Sequence, residues 1–300
     1  MSELYKVIRV FDENDAVGSD KAFSIEDRTA DFENRPDVGL YVPEVNWQEL
    51  AKVYGLKESS EGEKILNLSD LSVFGSRWDN FNFDIGEPPA IPVNWITSYE
   101  IKAFNKGYFG DKKQFLPVAV QGILKTREGQ IVFGVRGGKI TPETKETIGR
   151  GLYGVLPAGY VTFNPVDPVI KAIRKEFQEE VGDFEITSEK IMGIFEAYRP
   201  GPMPISFVCS LSTDATFEQI FKRHKESNDL YQNLTEKGAS KSEVARELRS
   251  KNLPPDAWEH SVLLSIQDDK KSIETLVNSQ PQSFTGIGAG ALMTYADSLN

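Results

Sequence analysis

The sequence predicts an α+β protein in which a mixed sheet is packed between helices as an α/β/α sandwich, preceded by an N-terminal α/β extension. Three observations carry this prediction. Residues 115–124 and 131–136 are apolar runs of strand length flanking Arg127-Glu128-Gly129-Gln130, a hairpin pattern. Residues 168–181 repeat apolar positions at helical spacing. Strand-like runs then return at 190–196, 205–211 and 260–266, and a small-residue helix closes the chain near 286–299.

The extension, residues 1–110, opens with the strand-like run 4–10 and continues through an acidic stretch to a helix predicted around 47–54. Residues 87–93, with three prolines, read as an extended connector because proline removes backbone donors and fixes φ. Trp78, Phe81, Phe83 and Trp95 are expected in core rather than on a ligand platform. Two roles are open to this unit: covering a site or forming a homodimer interface. The second unit, residues 111–300, holds the hairpin, then a Gly-rich loop through Gly137-Gly138 and Gly149-Arg150-Gly151, then a short strand entering the turn Pro157-Ala158-Gly159. Residues 216–251 are polar and helix-prone.

Composition limits the functions on offer. The net charge of −11 argues against long nucleic acid as a partner, while a few local cations and a metal can still hold a small phosphorylated ligand. No apolar run is long enough to cross a bilayer, so no membrane partner is expected. The charged first residues carry no signal-peptide core, and the single cysteine, Cys209, excludes an internal disulfide or a cysteine-based zinc site. Both point to a cytoplasmic setting. Cys209 lies in an apolar strand-like run and reads as a small core residue.

The chemistry is concentrated on the predicted helix. Asp167 stands at its N-cap, Pro168 at its first position and Gly182 just past its end. With Glu176 at zero on a helical wheel, Glu180 lies near about +40° and Glu179 near about −60°, so three carboxylates share one arc of roughly 100°. Ile170, Ile173, Phe177 and Val181 form an adjacent apolar stripe, with the acidic edge expected to face outward. Like charges at this spacing repel by a few tenths of a kcal/mol per exposed pair, roughly. A hard divalent cation offsets such repulsion, because magnesium takes oxygen ligands and also bridges phosphates.

The stretch Lys175-Glu176-Phe177-Gln178-Glu179-Glu180-Val181-Gly182, with Asp167 before it and Pro157-Ala158-Gly159 upstream, resembles the signature of the Nudix hydrolases. That signature runs from a glycine to a glutamate and then to an Arg-Glu-x-x-Glu-Glu-x-Gly helix. Here seven residues rather than five separate Gly159 from Asp167, Asp167 replaces the glutamate, Lys175 replaces the arginine, and Asp183 stands at the final apolar position. Lys is a point donor, so bidentate pairing is lost, although Asp167 with Lys175 keeps the charges of the family's structural ion pair.

The resemblance implies that Glu176, Glu179 and Glu180 bind magnesium, or manganese in its place, with the Gly159 carbonyl as a further ligand, and that the three acids serve catalysis. It implies a loop acid as general base, for which Glu259 is the candidate, with His260 beside it. Arg136 and Arg199 are candidates for phosphate oxygens, and Tyr198 for stacking on a base. The implied reaction is hydrolysis of a phosphoanhydride in a nucleoside diphosphate linked to a sugar, a ribose or a second nucleotide. Residues 191–196 and 206–212 are loosely similar to vertebrate Nudix proteins acting on UDP-glucose and UDP-galactose. The alternatives are a Nudix-fold protein that binds a nucleotide or partner without hydrolysis, and a prenyl-diphosphate isomerase, which would want a reactive cysteine near the metal.

Overall fold

The computed structural model describes residues 4–11, 24–27, 64–68, 90–97, 117–137, 151–162, 167–197 and 205–299. The helix expected at 47–54, the aromatic residues Trp78, Phe81 and Phe83, most of the Gly-rich loop, and both Tyr198 and Arg199 lie outside these residues. So does the side chain of Trp95.

The chain is α+β. One sheet of eight strands contains β1 (Tyr5–Val10), β5 (Val118–Lys125), β6 (Gln130–Arg136), β7 (Tyr153–Val155), β8 (Ala158–Tyr160), β9 (Ile186–Ala197), β10 (Ile205–Thr213) and β11 (His260–Gln267). A smaller sheet joins β2 (Ser24–Asp27), β3 (Lys64–Leu68) and β4 (Ala90–Thr97) in the order β2-β4-β3. Part of the proline-bearing segment read as a connector is therefore a strand, β4, paired in parallel with β2 through Pro92. The helices are α1 (Pro168–Glu180), α2 (Phe217–Glu236), α3 (Lys241–Ser250), α4 (Lys270–Ser279) and α5 (Gly286–Ser298). Among the described residues no helix is long and apolar enough to cross a membrane.

The large sheet runs β1-β9-β10-β5-β6-β11. It is mixed because β10 pairs β5 in parallel, Ile205 opposite Val118, while its other pairs are antiparallel. The opening strand β1, which the sequence placed in the extension, forms an edge of this sheet, with Tyr5 opposite Ala197. The β5–β6 hairpin closes at Gly129, whose φ of 72° suits glycine. After the pair Lys125–Ile131, the turn β7–β8 enters: β7 pairs β6 at Phe133–Val155 and β8 pairs β5 at Val120–Gly159. The Pro157-Ala158-Gly159 turn is thereby held at the sheet.

Side chains alternate across the sheet. Val118, Val120, Leu124, Phe207 and Cys209 pack on one face with Ile170, Ile173 and Phe177 of α1. Ile123, Ile131, Phe195 and Val208 pack on the other with Ile273 and Val277 of α4 and Leu292 and Tyr295 of α5. Cys209 is fully buried, and burial pushes its thiol up, which suits the core reading of this residue. The helix α4 has no counterpart in the sequence reading. Its apolar periodicity is short, with Ile273 and Val277 as its buried residues, so its signal was weak.

Candidate metal and catalytic site

The helix α1 forms where its stripe predicts, with Val169, Ile170, Ala172, Ile173 and Phe177 buried. Its start differs from expectation. Asp167 has φ 49° and ψ 53° and makes no side-chain capping bond. A capping side chain needs an extended backbone to reach the free N–H groups, and the left-handed conformation turns it elsewhere. Asp tolerates that conformation better than most residues, and its carbonyl accepts from the Lys171 N–H at 2.9 Å. The end is as expected: the N–H groups of Val181 and Gly182 both donate to the Phe177 carbonyl, and Gly182 has φ 113°.

The acidic edge does not face outward. Glu180 is buried and Glu176 is half-buried, because the β7–β8 turn lies over this side of α1. Glu180 Oε1 accepts a hydrogen bond from the Ala158 N–H at 3.0 Å. Gly159 lies directly on the Glu176 carboxylate, where a Cβ would collide with its Cδ and Oε1. The glycine is needed for that approach. Burial pushes the Glu176 carboxyl up to about 8; Lys175 opposes this, while Glu179, Glu259 and Asp256 add to it. Burial also raises the Glu180 carboxyl well above its usual range, with the Glu259 charge next in weight. Its Oε2 is buried with no hydrogen-bond partner among the described residues.

Glu179 is placed differently. Its Oε1 is 3.3 Å from Arg249 Nη2 at the end of α3, and its Oε2 is 4.0 Å from Lys175 Nζ. Its carbonyl accepts from the Asp256 N–H at 2.8 Å. Lys175 thus stands beside Glu179, one turn along its own helix. Arg174 pairs with Glu189, its Nε donating to Oε2 at 2.8 Å and Nη2 to Oε1. That bond holds the Arg174 guanidinium in its charged form, with the Asp167 charge a smaller contributor.

Glu259 ends a short 3-10 turn, Ala257–Glu259, just before β11. Its Oε2 is 3.3 Å from Arg136 Nη2, and its carbonyl accepts from the Gly137 N–H. The suggested base and the suggested phosphate binder are therefore an ion pair. Burial raises the Glu259 carboxyl, and Arg136 pulls against that rise. Next to it His260 is fully buried, pairs in the ladder with Arg136, and has Nδ1 3.8 Å from Glu180 Oε2.

The structure therefore gathers Gly159, Glu176, Glu180, Glu259 and Arg136 around one end of the sheet, with Glu179 turned toward α3. Among the described residues no group of three or more His, Cys, Asp or Glu side chains converges as a metal cage. The residues present nonetheless fit magnesium. That ion characteristically takes one or two carboxylates plus waters and substrate phosphates. Glu180 Oε2, without a hydrogen-bond partner among the described residues, and the mutually repelling acids are the features a cation would offset. Arg249 and the Ala158 N–H were not singled out from sequence. A helix-ending arginine and a backbone donor carry no local signal that distinguishes them.

No family model matches the sequence, and no curated protein is significantly similar to it. Several solved structures are similar to parts of the chain. The pyrophosphohydrolase BsRppH of Bacillus subtilis, solved as a point mutant, is 17% identical over 32% of this chain and 51% of its own, with a TM-score of 0.23. A Nudix hydrolase from Nitrosomonas europaea is 19% identical over 33% of this chain and 59% of its own, with a TM-score of 0.25. Tm1382, provisionally assigned to the Nudix hydrolases, is 12% identical over 51% of this chain and 78% of its own, with a TM-score of 0.31. The match spans about half the length of the first two. In its signature residues, this chain resembles Nudix hydrolases.

Proposed function

We propose that this protein hydrolyses a phosphoanhydride bond, with magnesium, in a nucleoside diphosphate linked to a second moiety. A nucleotide sugar, an ADP-ribose type of compound or a dinucleotide is the substrate class. The observation that carries this reading is the pair of inward-facing carboxylates, Glu176 and Glu180, set against the Gly159 turn, with Glu180 Oε2 without a hydrogen-bond partner among the described residues. An acidic face kept only for solubility would point to water.

In this reading Glu176, Glu180 and the Gly159 carbonyl hold magnesium, with Glu179 joining on release from Arg249. When bound, the ion neutralises phosphate oxygens and makes a water more acidic. Glu259 accepts the proton of the attacking water as its oxygen bonds to phosphorus and the bridging P–O bond breaks. Arg136 and Arg199 pair with phosphate oxygens, and Tyr198 stacks on the base. The UDP-hexose class is the first to try, from the likeness of residues 191–196 and 206–212 to enzymes of that class.

A second reading is a nucleotide binder without turnover. It is favoured by the Arg249–Glu179 contact and by the lack of a three-acid cage among the described residues. The deciding experiment incubates nucleoside diphosphate derivatives with magnesium and measures phosphate-containing products, with Glu179→Gln and Glu180→Gln alongside. Turnover lost in both variants supports hydrolysis. Binding with no turnover for every compound selects the second reading. Turnover surviving both substitutions places the site elsewhere, and ¹⁸O-labelled water identifies the phosphorus attacked.

A further inference from the structure

His260 is a buried imidazole whose two nitrogens, Nδ1 and Nε2, both lack a hydrogen-bond partner among the described residues. A buried polar group left unpaired is costly. The ring is nonetheless closely held. Its Cδ2 would be 2.5 Å from a Cβ on Gly134, so β6 makes room for the imidazole with a glycine. Asn228 Nδ2 donates to the His260 carbonyl at 3.1 Å, and the ladder with Arg136 fixes the backbone. Another atom without a hydrogen-bond partner among the described residues, the carboxylate oxygen Glu180 Oε2, stands 3.8 Å from Nδ1, and both side chains are almost wholly excluded from solvent. Two complementary orphans thus face each other, separated from normal hydrogen-bond length by roughly 1 Å.

We propose that His260 is a positioning residue for Glu180: the neutral ring donates its Nδ1–H to Glu180 Oε2 and fixes the direction in which the carboxylate meets a cation. The carboxylate is then held at both oxygens, by the Ala158 N–H at Oε1 and by the imidazole at Oε2. Each oxygen keeps a second lone pair for a metal. A hydrogen bond of this kind sets ligand orientation, and its loss typically weakens metal binding roughly 10–100-fold. Burial, with the Arg136 and His224 charges adding to it, lowers the pKa of the ring and keeps it in the neutral form this arrangement needs. The inference rests on the reading of Glu180 as a metal ligand, but the hydrogen bond can be tested without metal.

The first measurement is ¹⁵N–¹H NMR of the histidine rings in the metal-free full-length chain. The expected result is a neutral His260 with its proton on Nδ1, slow to exchange, and a resonance that shifts in Glu180→Ala. A His260 proton on Nε2, or one indifferent to Glu180→Ala, overturns the proposal whatever the protein's activity. The second is Mn²⁺ titration followed by water-proton relaxation. His260→Leu keeps the volume without a donor, and His260→Asn carries an amide near the Nδ1 position. We expect Mn²⁺ affinity to fall roughly 10-fold or more in His260→Leu and to recover to within about 3-fold of the parent in His260→Asn. Equal affinity in a folded His260→Leu, or an Asn variant no better than Leu, refutes it. Absence of Mn²⁺ binding by the unsubstituted chain removes the metal reading instead, and leaves the NMR result to judge the hydrogen bond.

Discussion

Arg136 Nη2 lies 3.3 Å from Glu259 Oε2, so the cation proposed for substrate phosphate and the carboxylate proposed as base neutralise each other. Phosphate competes for Arg136 as a bidentate acceptor. Substrate binding should therefore loosen Glu259 at the moment its basicity is required. Arg136→Ala is expected to raise KM about 10-fold or more, as an ionic contact to substrate is lost. Glu259→Gln is expected to lower kcat by roughly 10²–10⁴ with little change in KM, the range for a lost general base. Steady-state kinetics of the two variants on one substrate gives the comparison; the same split in both would show that they act only as an ion pair.

Glu180 illustrates a conflict between stability and activity. Its buried carboxylate is bonded at Oε1 by the Ala158 N–H, and the donor proposed for Oε2, the neutral His260 ring, stands 3.8 Å away. Replacing it by glutamine removes a buried ionisable group, so Glu180→Gln is expected to stabilise the metal-free protein by on the order of 1–3 kcal/mol near neutral pH. The same variant should lose turnover by about 100-fold or more, because a ligand to the cation is gone. Urea unfolding in a chelator, set beside turnover in magnesium, measures both. A destabilised Glu180→Gln would mean that the Ala158 N–H and the His260 ring together outweigh the cost of burying the carboxylate without metal.

Gly159→Ala tests the close approach of the β7–β8 turn to α1. The added Cβ meets the Glu176 carboxyl, the end of a flexible side chain, rather than backbone. The side chain can rotate away, so the stability loss should stay near about 1 kcal/mol. Turnover should fall about 10-fold or more, because a ligand displaced by an ångström no longer meets its target. Normal turnover in this variant would detach Glu176 from the site.

His224 supplies a pH dependence. It is buried, and burial lowers its pKa from 6.5 to about 4, against the opposing pull of backbone hydrogen bonds at Ala257 and His260. Between these values the unfolded chain binds a proton that the folded chain refuses. Stability is therefore full above about pH 6.5 and falls as the pH drops toward 4, by up to about 1.4 kcal/mol per pH unit and on the order of 3 kcal/mol in all. The lowered pKa of His260 acts in the same direction. The His224 share is the difference between the parent and His224→Gln in urea midpoints at pH 5 and pH 7. A slope unchanged by the substitution would assign the effect elsewhere.

Much of the framework was legible because it is local. The hairpin through Gly129, the stripe of α1 and its stop at Gly182 depend on residues within a few positions of one another, where periodicity and turn chemistry act. Asp167 is the local exception. An Asp before a helix reads equally well as a cap or as a left-handed entry, and the backbone took the second course. The wheel also placed Glu176, Glu179 and Glu180 correctly relative to each other. It was silent on what covered them.

By itself, then, the sequence determined that three acids lie on one side of a helix beside an apolar stripe, in a signature resembling that of Nudix hydrolases. Only the tertiary structure decided that two of them turn inward against Ala158 and Gly159, while Glu179 is met by Arg249 from 70 residues away. It also decided that Arg136 meets Glu259, that His260 faces Glu180, and that β1 joins the main sheet. The reason is physical. Helical spacing is set by the backbone itself, but burial and charge pairing across a sheet depend on which distant strands come together. The same acidic edge would be a solvated face without the β7–β8 turn, and with it becomes a pair of inward-turned carboxylates, Glu180 fully buried and Glu176 half-buried.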